Sequence, residues 1–113
     1  MTNINELPIP PAAASATRAV EIARAWIVDH KQHVTLNAPA WKDPAAWGMF
    51  LVDLAKHVAN SYQQSEGRDP AEVLTRIKAG FDAEWAHATD TPTTPAISDT
   101  DAIETTNKVD RIL

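Results

Sequence analysis

The two side chains best spaced for acid–base chemistry are Asp53 and His57. They lie four residues apart in a segment with helical periodicity, so their carboxylate and imidazole can meet on one helix face. A carboxylate that orients an imidazole occurs in some catalytic and metal sites. It is equally an ordinary surface ion pair. Because no serine or cysteine nucleophile is tied to the pair, the sequence favours a protein that is not an enzyme and retains Asp53 and His57 as the catalytic candidates.

Metal and cofactor chemistry finds little support in the sequence. His30 and His33 lie beside Asp29, and zinc uses both residue types, but side chains three apart on a strand point to opposite faces. The chain has no cysteine, which excludes disulfides, thiolate zinc sites and thiol catalysis. Gly48 and Gly80 fall inside predicted helices, where they cannot form a phosphate-binding loop. We therefore predict neither a metal site nor a cofactor.

Three tryptophans bracket the join between a predicted hairpin and the first predicted helix: Trp26, Trp41 and Trp47. Aromatic clusters line ligand pockets and anchor protein interfaces. They also fill hydrophobic cores, which is the alternative here. These three residues are the candidate ligand-binding or interface residues.

Charge excludes two classes of partner. The net charge is −5, and residues 1–87 carry ten acids against eight bases. No basic stripe is present for nucleic acid, and an anionic membrane surface would not attract the chain.

The first eleven residues lack the basic start and apolar run of a secretory signal, and no apolar run approaches the ~20 residues of a membrane helix. We expect a cytoplasmic protein.

Two helices are predicted from their capping residues and apolar spacing. Asp43 and Pro44 begin the first, and Gly67 ends it. Asp69 and Pro70 begin the second, which fades near residue 88. The first apolar stripe is Trp47, Phe50, Leu51, Leu54, Val58 and Tyr62, and the second is Leu74, Ile77, Phe81 and Trp85. The short connection favours an antiparallel helix pair.

A β-hairpin is predicted ahead of the helices, with strands at about 20–28 and 33–37 and a turn near 29–32. A helix from 15 to 26 is the alternative. The register stays open between two arrangements. A two-residue loop at 30–31 groups Ala25, Ile27, Val34 and Leu36 on one face, and a three-residue loop groups Trp26 and Val28 with Val34 and Leu36.

The fold class that follows is α+β: a β-hairpin or small sheet packed against the antiparallel helix pair. We predict an extended arm at 1–17, one domain at 18–88 and a flexible acidic tail at 89–113, with a short partner-bound helix at 98–113 as an alternative for the tail. Strand one has large apolar residues on both faces in either register, and one helical layer covers one face. We therefore expect a homodimer that extends or covers the sheet, acting as a structural or protein-interaction module.

The middle third of the chain resembles a known family. The residues that carry the resemblance are Ala25-Trp26-Ile27-Val28-Asp29, His33-Val34-Thr35-Leu36, Asp43-Pro44, Trp47-Gly48, Asp53 and His57-Val58-Ala59. Together they resemble a small uncharacterised bacterial family, a domain of unknown function found mainly in alphaproteobacteria. The resemblance implies no activity, cofactor or catalytic residue, so membership would leave the function open.

Overall fold

A computed structural model describes residues 4–93 and 102–108. The element order is α1 (Pro11–Ser15), β1 (Ala23–Val28), β2 (Lys31–Asn37), a short 3-10 helix (Ala38–Ala40), α2 (Ala45–Glu66), α3 (Pro70–Ala86) and β3 (Ala102–Lys108). The three strands form one antiparallel sheet in the order β1-β2-β3, and α2 packs against α3. The predicted α+β class is confirmed.

The predicted capping residues position both long helices. α2 begins at Ala45, one residue later than predicted, with Pro44 at the N-cap position, and the Asp43 carboxylate accepts the Ala45 N–H at 3.0 Å. The Asp69 carboxylate accepts the Ala71 N–H at 3.2 Å, with Pro70 as the first residue of α3. Gly67 ends α2 in the left-handed conformation, and its N–H donates to the Gln63 carbonyl at 2.9 Å. These bonds satisfy backbone groups that a helix end leaves without an intrahelical partner.

Loss of the Asp69 cap is expected to lower the free energy of unfolding by about 1 kcal/mol in an Asp69→Ala variant. The matched control is Asp82→Ala, since Asp82 makes an exposed pair with Lys78 at 2.7 Å that is worth a few tenths of a kcal/mol, about 0.2–0.5. Urea denaturation followed by circular dichroism measures both losses. Equal losses would contradict a capping role for Asp69.

Two glycines should respond in opposite directions to alanine. Gly67 has φ +68°, and no heavy atom lies within 4 Å of a Cβ built there, so Gly67→Ala costs about 1–2 kcal/mol from backbone conformation alone. Gly80 lies inside α3 with the same open space, so Gly80→Ala should raise helix stability by up to about 1 kcal/mol. Thermal denaturation of both variants tests this difference, and a shift of the same sign in both would contradict it.

The predicted hairpin is present, with a tighter turn than expected. Asp29 and His30 form the turn, with φ of 50° and 63°, the conformation that matches the twist of two directly connected strands. β1 starts three residues later than predicted, and β2 starts two residues earlier. The alternative helix at 15–26 does not form, because residues 23–26 pair with β2.

The strand register resolves which side chains share a face. Ala25 lies opposite Val34, Ile27 opposite Gln32, and Ala23 opposite Leu36. Directly opposed residues project to the same side of a sheet. One face therefore carries Ala25, Ile27, Val34 and Leu36, the grouping of the two-residue-loop alternative, although the loop lies one residue earlier. Trp26 and Val28 lie on the other face.

The third strand lies within the segment that was predicted as a flexible tail, residues 89–113. Ala102–Lys108 pairs along the whole of β2, with Thr105 opposite Val34 and Thr106 opposite His33. The tail was predicted from its composition, because a segment with few large apolar residues cannot bury enough apolar surface by itself to become ordered. The free edge of β2 instead supplies backbone hydrogen bonds, and these order a polar segment. Residues 94–101 and 109–113 lie outside the described part of the chain, and the alternative helix does not form at 102–108.

Buried residues are few across the described ranges. Ala59 on α2 and Val73 on α3 are the buried apolar residues there. Contacts are dense within the sheet and between the helices, but sparse between the helix pair and the sheet. Each layer is thus organised mainly within itself, and large apolar side chains stay open to solvent.

Candidate interaction surface

Helix α2 exposes an apolar surface that α3 does not cover. Residues advance about 100° around a helix. Leu51, Leu54 and Val58 therefore lie within about 60° of one another, and about 80–140° away from Ala59, the buried residue of α2. The exposed fractions of Leu51, Leu54 and Val58 are 48%, 44% and 38%. We call these three residues the open α2 surface. They belong to the predicted apolar stripe, which faces solvent along this part of α2.

Apolar side chains also occur on a second side of α2. Met49 and Val52 are exposed, and Val52 lies about 160° around the helix from Leu54. Exposed apolar residues therefore occur on two sides of α2.

Helix α3 presents an exposed aromatic pair near its C-terminal end. The rings of Phe81 and Trp85 stack with centroids 5.6 Å apart and an interplanar angle of 20°. Trp85 is 82% exposed and Phe81 is 49% exposed. Tryptophan is among the residues most enriched at the energetic centres of protein interfaces. A stacked pair held open to water is a surface feature suited to a protein partner.

Two of the three candidate tryptophans come together, and the third lies elsewhere. Trp41 and Trp47 meet edge to face with centroids 4.9 Å apart, and Phe50 lies 5.9 Å from Trp47. This cluster joins the segment before α2 to its first turns. Trp26 is on β1, opposite His33. The sequence grouped the three by their nearness along the chain, and the hairpin geometry separates Trp26 from the other two.

Trp26 contributes to a cleft of about 230 Å³ between the N-terminal arm, residues 5–10, and the start of β1. Arg24 bridges the two sides, with its guanidinium 2.9 Å from the Glu6 carboxylate and 3.1 Å from that of Glu21. The hydrogen bond and charge of Glu21, with a smaller contribution from Glu6, raise the pKa of Arg24 above its ordinary value. Glu6 thus links the arm to β1 through Arg24.

The predicted catalytic candidates lie on open helix surface. Asp53 and His57 are both exposed on α2, and among the described residues no ion pair joins them. His33 instead has its Nδ1 3.6 Å from the Glu104 carboxylate across the β2–β3 pairing. In residues 4–93 and 102–108, no three His, Cys, Asp or Glu side chains are grouped as metal ligands would be.

Family comparison identifies the group of proteins to which the chain is related. The family model described as "Domain of unknown function (DUF5076)" matches residues 6–89. The chain belongs to the DUF5076 family. The resemblance to a family of unknown function is thereby confirmed, and the match extends from the N-terminal arm through the end of α3.

A solved structure shares the fold of this DUF5076 chain. It is described as that of a "putative pyruvate dehydrogenase" from the photosynthetic bacterium Rhodopseudomonas palustrus CGA009. It is 35% identical to this chain, covers 87% of it over 100% of its own length, and aligns with a TM-score of 0.67. The description belongs to that protein and assigns no role to a residue here. A search of curated proteins finds no match to this chain.

None of the helices in the described part of this DUF5076 chain combines the length and apolar character of a membrane span.

The exposed apolar surfaces of α2 and α3 could be predicted only in part from the sequence. Helical periodicity identified Leu51, Leu54, Val58, Phe81 and Trp85 as apolar, but not which neighbour they meet. A further signal in the sequence was that α2 also carries Met49 and Val52 on another side, which gives it more apolar residues than contact with α3 would bury.

Proposed function

We propose that this DUF5076 chain is a cytoplasmic structural or protein-interaction module that works as a homodimer. In this proposal the second copy covers the open α2 surface and the Phe81–Trp85 pair. The single observation that carries it is the exposure of these apolar side chains in a chain whose described residues bury little beyond Ala59 and Val73.

The amount of exposed apolar surface supports a permanent partner. Isolated apolar residues are common on protein surfaces, but contiguous exposed apolar patches mark interaction sites. Leu51, Leu54 and Val58 form such a patch at successive turns of one helix. A second copy is the partner available wherever the chain itself is present, and closed two-fold dimers are the commonest oligomers of soluble proteins.

The mass of the assembly in solution tests the proposal. Light scattering on the purified chain at micromolar concentration should give about 24.6 kDa, twice the 12.3 kDa mass of one chain. A mass of one chain throughout the micromolar range would contradict the homodimer. The measurement needs no knowledge of a ligand or activity.

Two alternatives have weaker support from the geometry. A ligand pocket built from Trp26, Trp41 and Trp47 requires the three rings to converge, but Trp26 lies at the cleft beside the N-terminal arm while Trp41 and Trp47 pack on each other. An acid–base site at Asp53 and His57 requires a concave setting, and both residues are exposed on α2. The homodimer is the function that the described surface favours.

A further inference from the structure

The two edge strands of the sheet, β1 and β3, differ in the hydrogen bonding of their outer backbone groups. The outer edge of β3 is covered, because Thr93 and Thr106 exchange backbone hydrogen bonds at 2.9 and 3.1 Å. The Lys108 N–H on the same edge donates to the Asp90 carboxylate at 2.8 Å. An uncovered edge presents a row of unpaired N–H and C=O groups to other chains, and here the segment after α3 occupies that row.

The outer edge of β1 has no backbone hydrogen-bond partner within the described ranges, although the N-terminal arm lies beside it. The Asn37 N–H donates to the Ile22 carbonyl, so Ile22 and Asn37 form a hydrogen-bonded pair. Hydrogen-bonded and non-hydrogen-bonded pairs alternate along an antiparallel ladder. The backbone groups that point toward β2 are therefore those of Arg24, Trp26 and Val28, and the residues between them point theirs away from β2. The outward set is Ala23, Ala25 and Ile27. Within the described ranges, no hydrogen bond is made by the backbone groups of these three residues on that side. The N-terminal arm lies beside β1 but contributes its Glu6 side chain, not a backbone pairing.

β1 also lacks the usual devices that protect an edge strand. Natural edges carry proline, lysine, a bulge or a covering segment. The sequence of β1, ARAWIV, has no proline or lysine, and its pairing with β2 runs without a bulge. Its one charged residue, Arg24, is neutralised by Glu6 and Glu21. The β3 edge is thus hydrogen-bonded at Thr106 and Lys108, whereas the β1 edge has no backbone partner within the described ranges.

We propose that β1 pairs antiparallel with β1 of a second copy, with Ala25 on the two-fold axis, to form a continuous six-stranded sheet. This inference rests on the homodimer proposed above and specifies how the two copies are aligned. The pairing would satisfy the outward N–H and C=O groups of Ala23, Ala25 and Ile27 in both copies. Such strand addition is a recurrent mode of recognition, in which main-chain hydrogen bonds supply the affinity.

The sequence of β1 is complementary to itself in this register. With Ala25 opposite Ala25, the small Ala23 lies opposite the larger Ile27 on one face of the sheet. On the other face Arg24 of one copy lies opposite Trp26 of the second copy. Both pairs occur twice by symmetry. A shift of two residues along the strand would lose part of this set and shorten the pairing.

Cysteine cross-linking tests the register, and the absence of native cysteine makes the readout specific. In Ala25→Cys the two Cα atoms would lie about 5.5 Å apart, the spacing of a hydrogen-bonded antiparallel pair, within the range that a disulfide bridges. The control is Thr35→Cys, exposed on β2, whose copies would lie three strand spacings apart, about 14 Å. Under mild oxidation at micromolar concentration, Ala25→Cys should cross-link at least about tenfold more than the control.

A proline variant tests the same edge without oxidation. Ala25→Pro removes an N–H that points away from β2, so the β1–β2 hairpin keeps its hydrogen bonds. Its mass by light scattering should fall toward that of one chain, with an unchanged far-ultraviolet circular dichroism spectrum. If that spectrum shows unfolding, the Ala25→Cys result decides by itself.

The outcomes separate this inference from the proposed function. Cross-linking of Ala25→Cys but not of Thr35→Cys supports pairing at β1. A wild-type mass of two chains without that cross-link would overturn the β1 pairing and leave the homodimer standing, with the edge open to some other extended segment. A wild-type mass of one chain would overturn both.

Discussion

Leu54→Glu is expected to convert the homodimer into single chains. Leu54 is the central residue of the open α2 surface, and a second copy that covers this surface would remove the new carboxylate from water. A buried charge without a partner is strongly destabilising, by about 3–5 kcal/mol, which weakens self-association by at least about 100-fold. Sedimentation velocity across a concentration series measures the shift.

The matched control for this variant is Gln63→Glu. Gln63 is exposed on α2 and lies about 180° around the helix from Leu54, so the substitution adds the same charge away from the open α2 surface. The control should retain the mass of two chains. If Leu54→Glu sediments like Gln63→Glu, the open α2 surface is not part of the interface, whatever the mass of the wild-type protein.

Removal of β3 is expected to have the second large effect. A chain ending at Thr89 lacks β3 together with Asp90 and Thr93, and it retains a two-stranded sheet that is marginal in water. The Asn37 N–H points toward β1, and successive residues of a strand direct their N–H groups to opposite sides. The N–H groups that point toward β3 are therefore those of Gln32, Val34 and Leu36. Their amide exchange should accelerate by at least about tenfold, equivalent to about 1.4 kcal/mol of lost protection.

Two proline variants separate β3 pairing from the loss of chain length. Thr105 faces β2, whereas the Thr106 N–H donates to Thr93 on the outer edge. Thr105→Pro removes a hydrogen bond within the sheet and should speed exchange at the amides of β2. Thr106→Pro removes only the edge bond and should affect them less. Unchanged exchange at Val34 after truncation would contradict a stabilising role for β3.

Both proposals concern different parts of the surface and can be tested separately. The open α2 surface is apolar and acts through burial, whereas the β1 edge acts through backbone hydrogen bonds. Leu54→Glu leaves the edge intact, and Ala25→Pro leaves the helix surface intact. If a single two-fold interface includes both, either substitution by itself should yield single chains.

The local sequence was sufficient to predict the two long helices. Asp43, Asp69 and Gly67 act within one turn of themselves, so their roles follow from residue type and spacing. The hairpin was predictable for a related reason, since β-branched and aromatic residues on either side of a short polar turn favour adjacent strands. The turn was predicted over 29–32, wider than the two residues observed, because residue type did not decide between the two loop lengths, and Asp29 and His30 close the turn with positive φ.

Other features were decided only by the tertiary structure. β3 is polar and has no strand signal strong enough to stand alone, and it is ordered because β2 offers a free edge. The apolar stripe of α2 was read as core, yet Ala59 is buried and Leu54 is exposed, because which side of an apolar helix is buried depends on its neighbour's position. By itself, the sequence determined the elements whose interactions are local. The tertiary structure decided which edges and surfaces they leave open, because that choice depends on contacts between residues far apart in the chain.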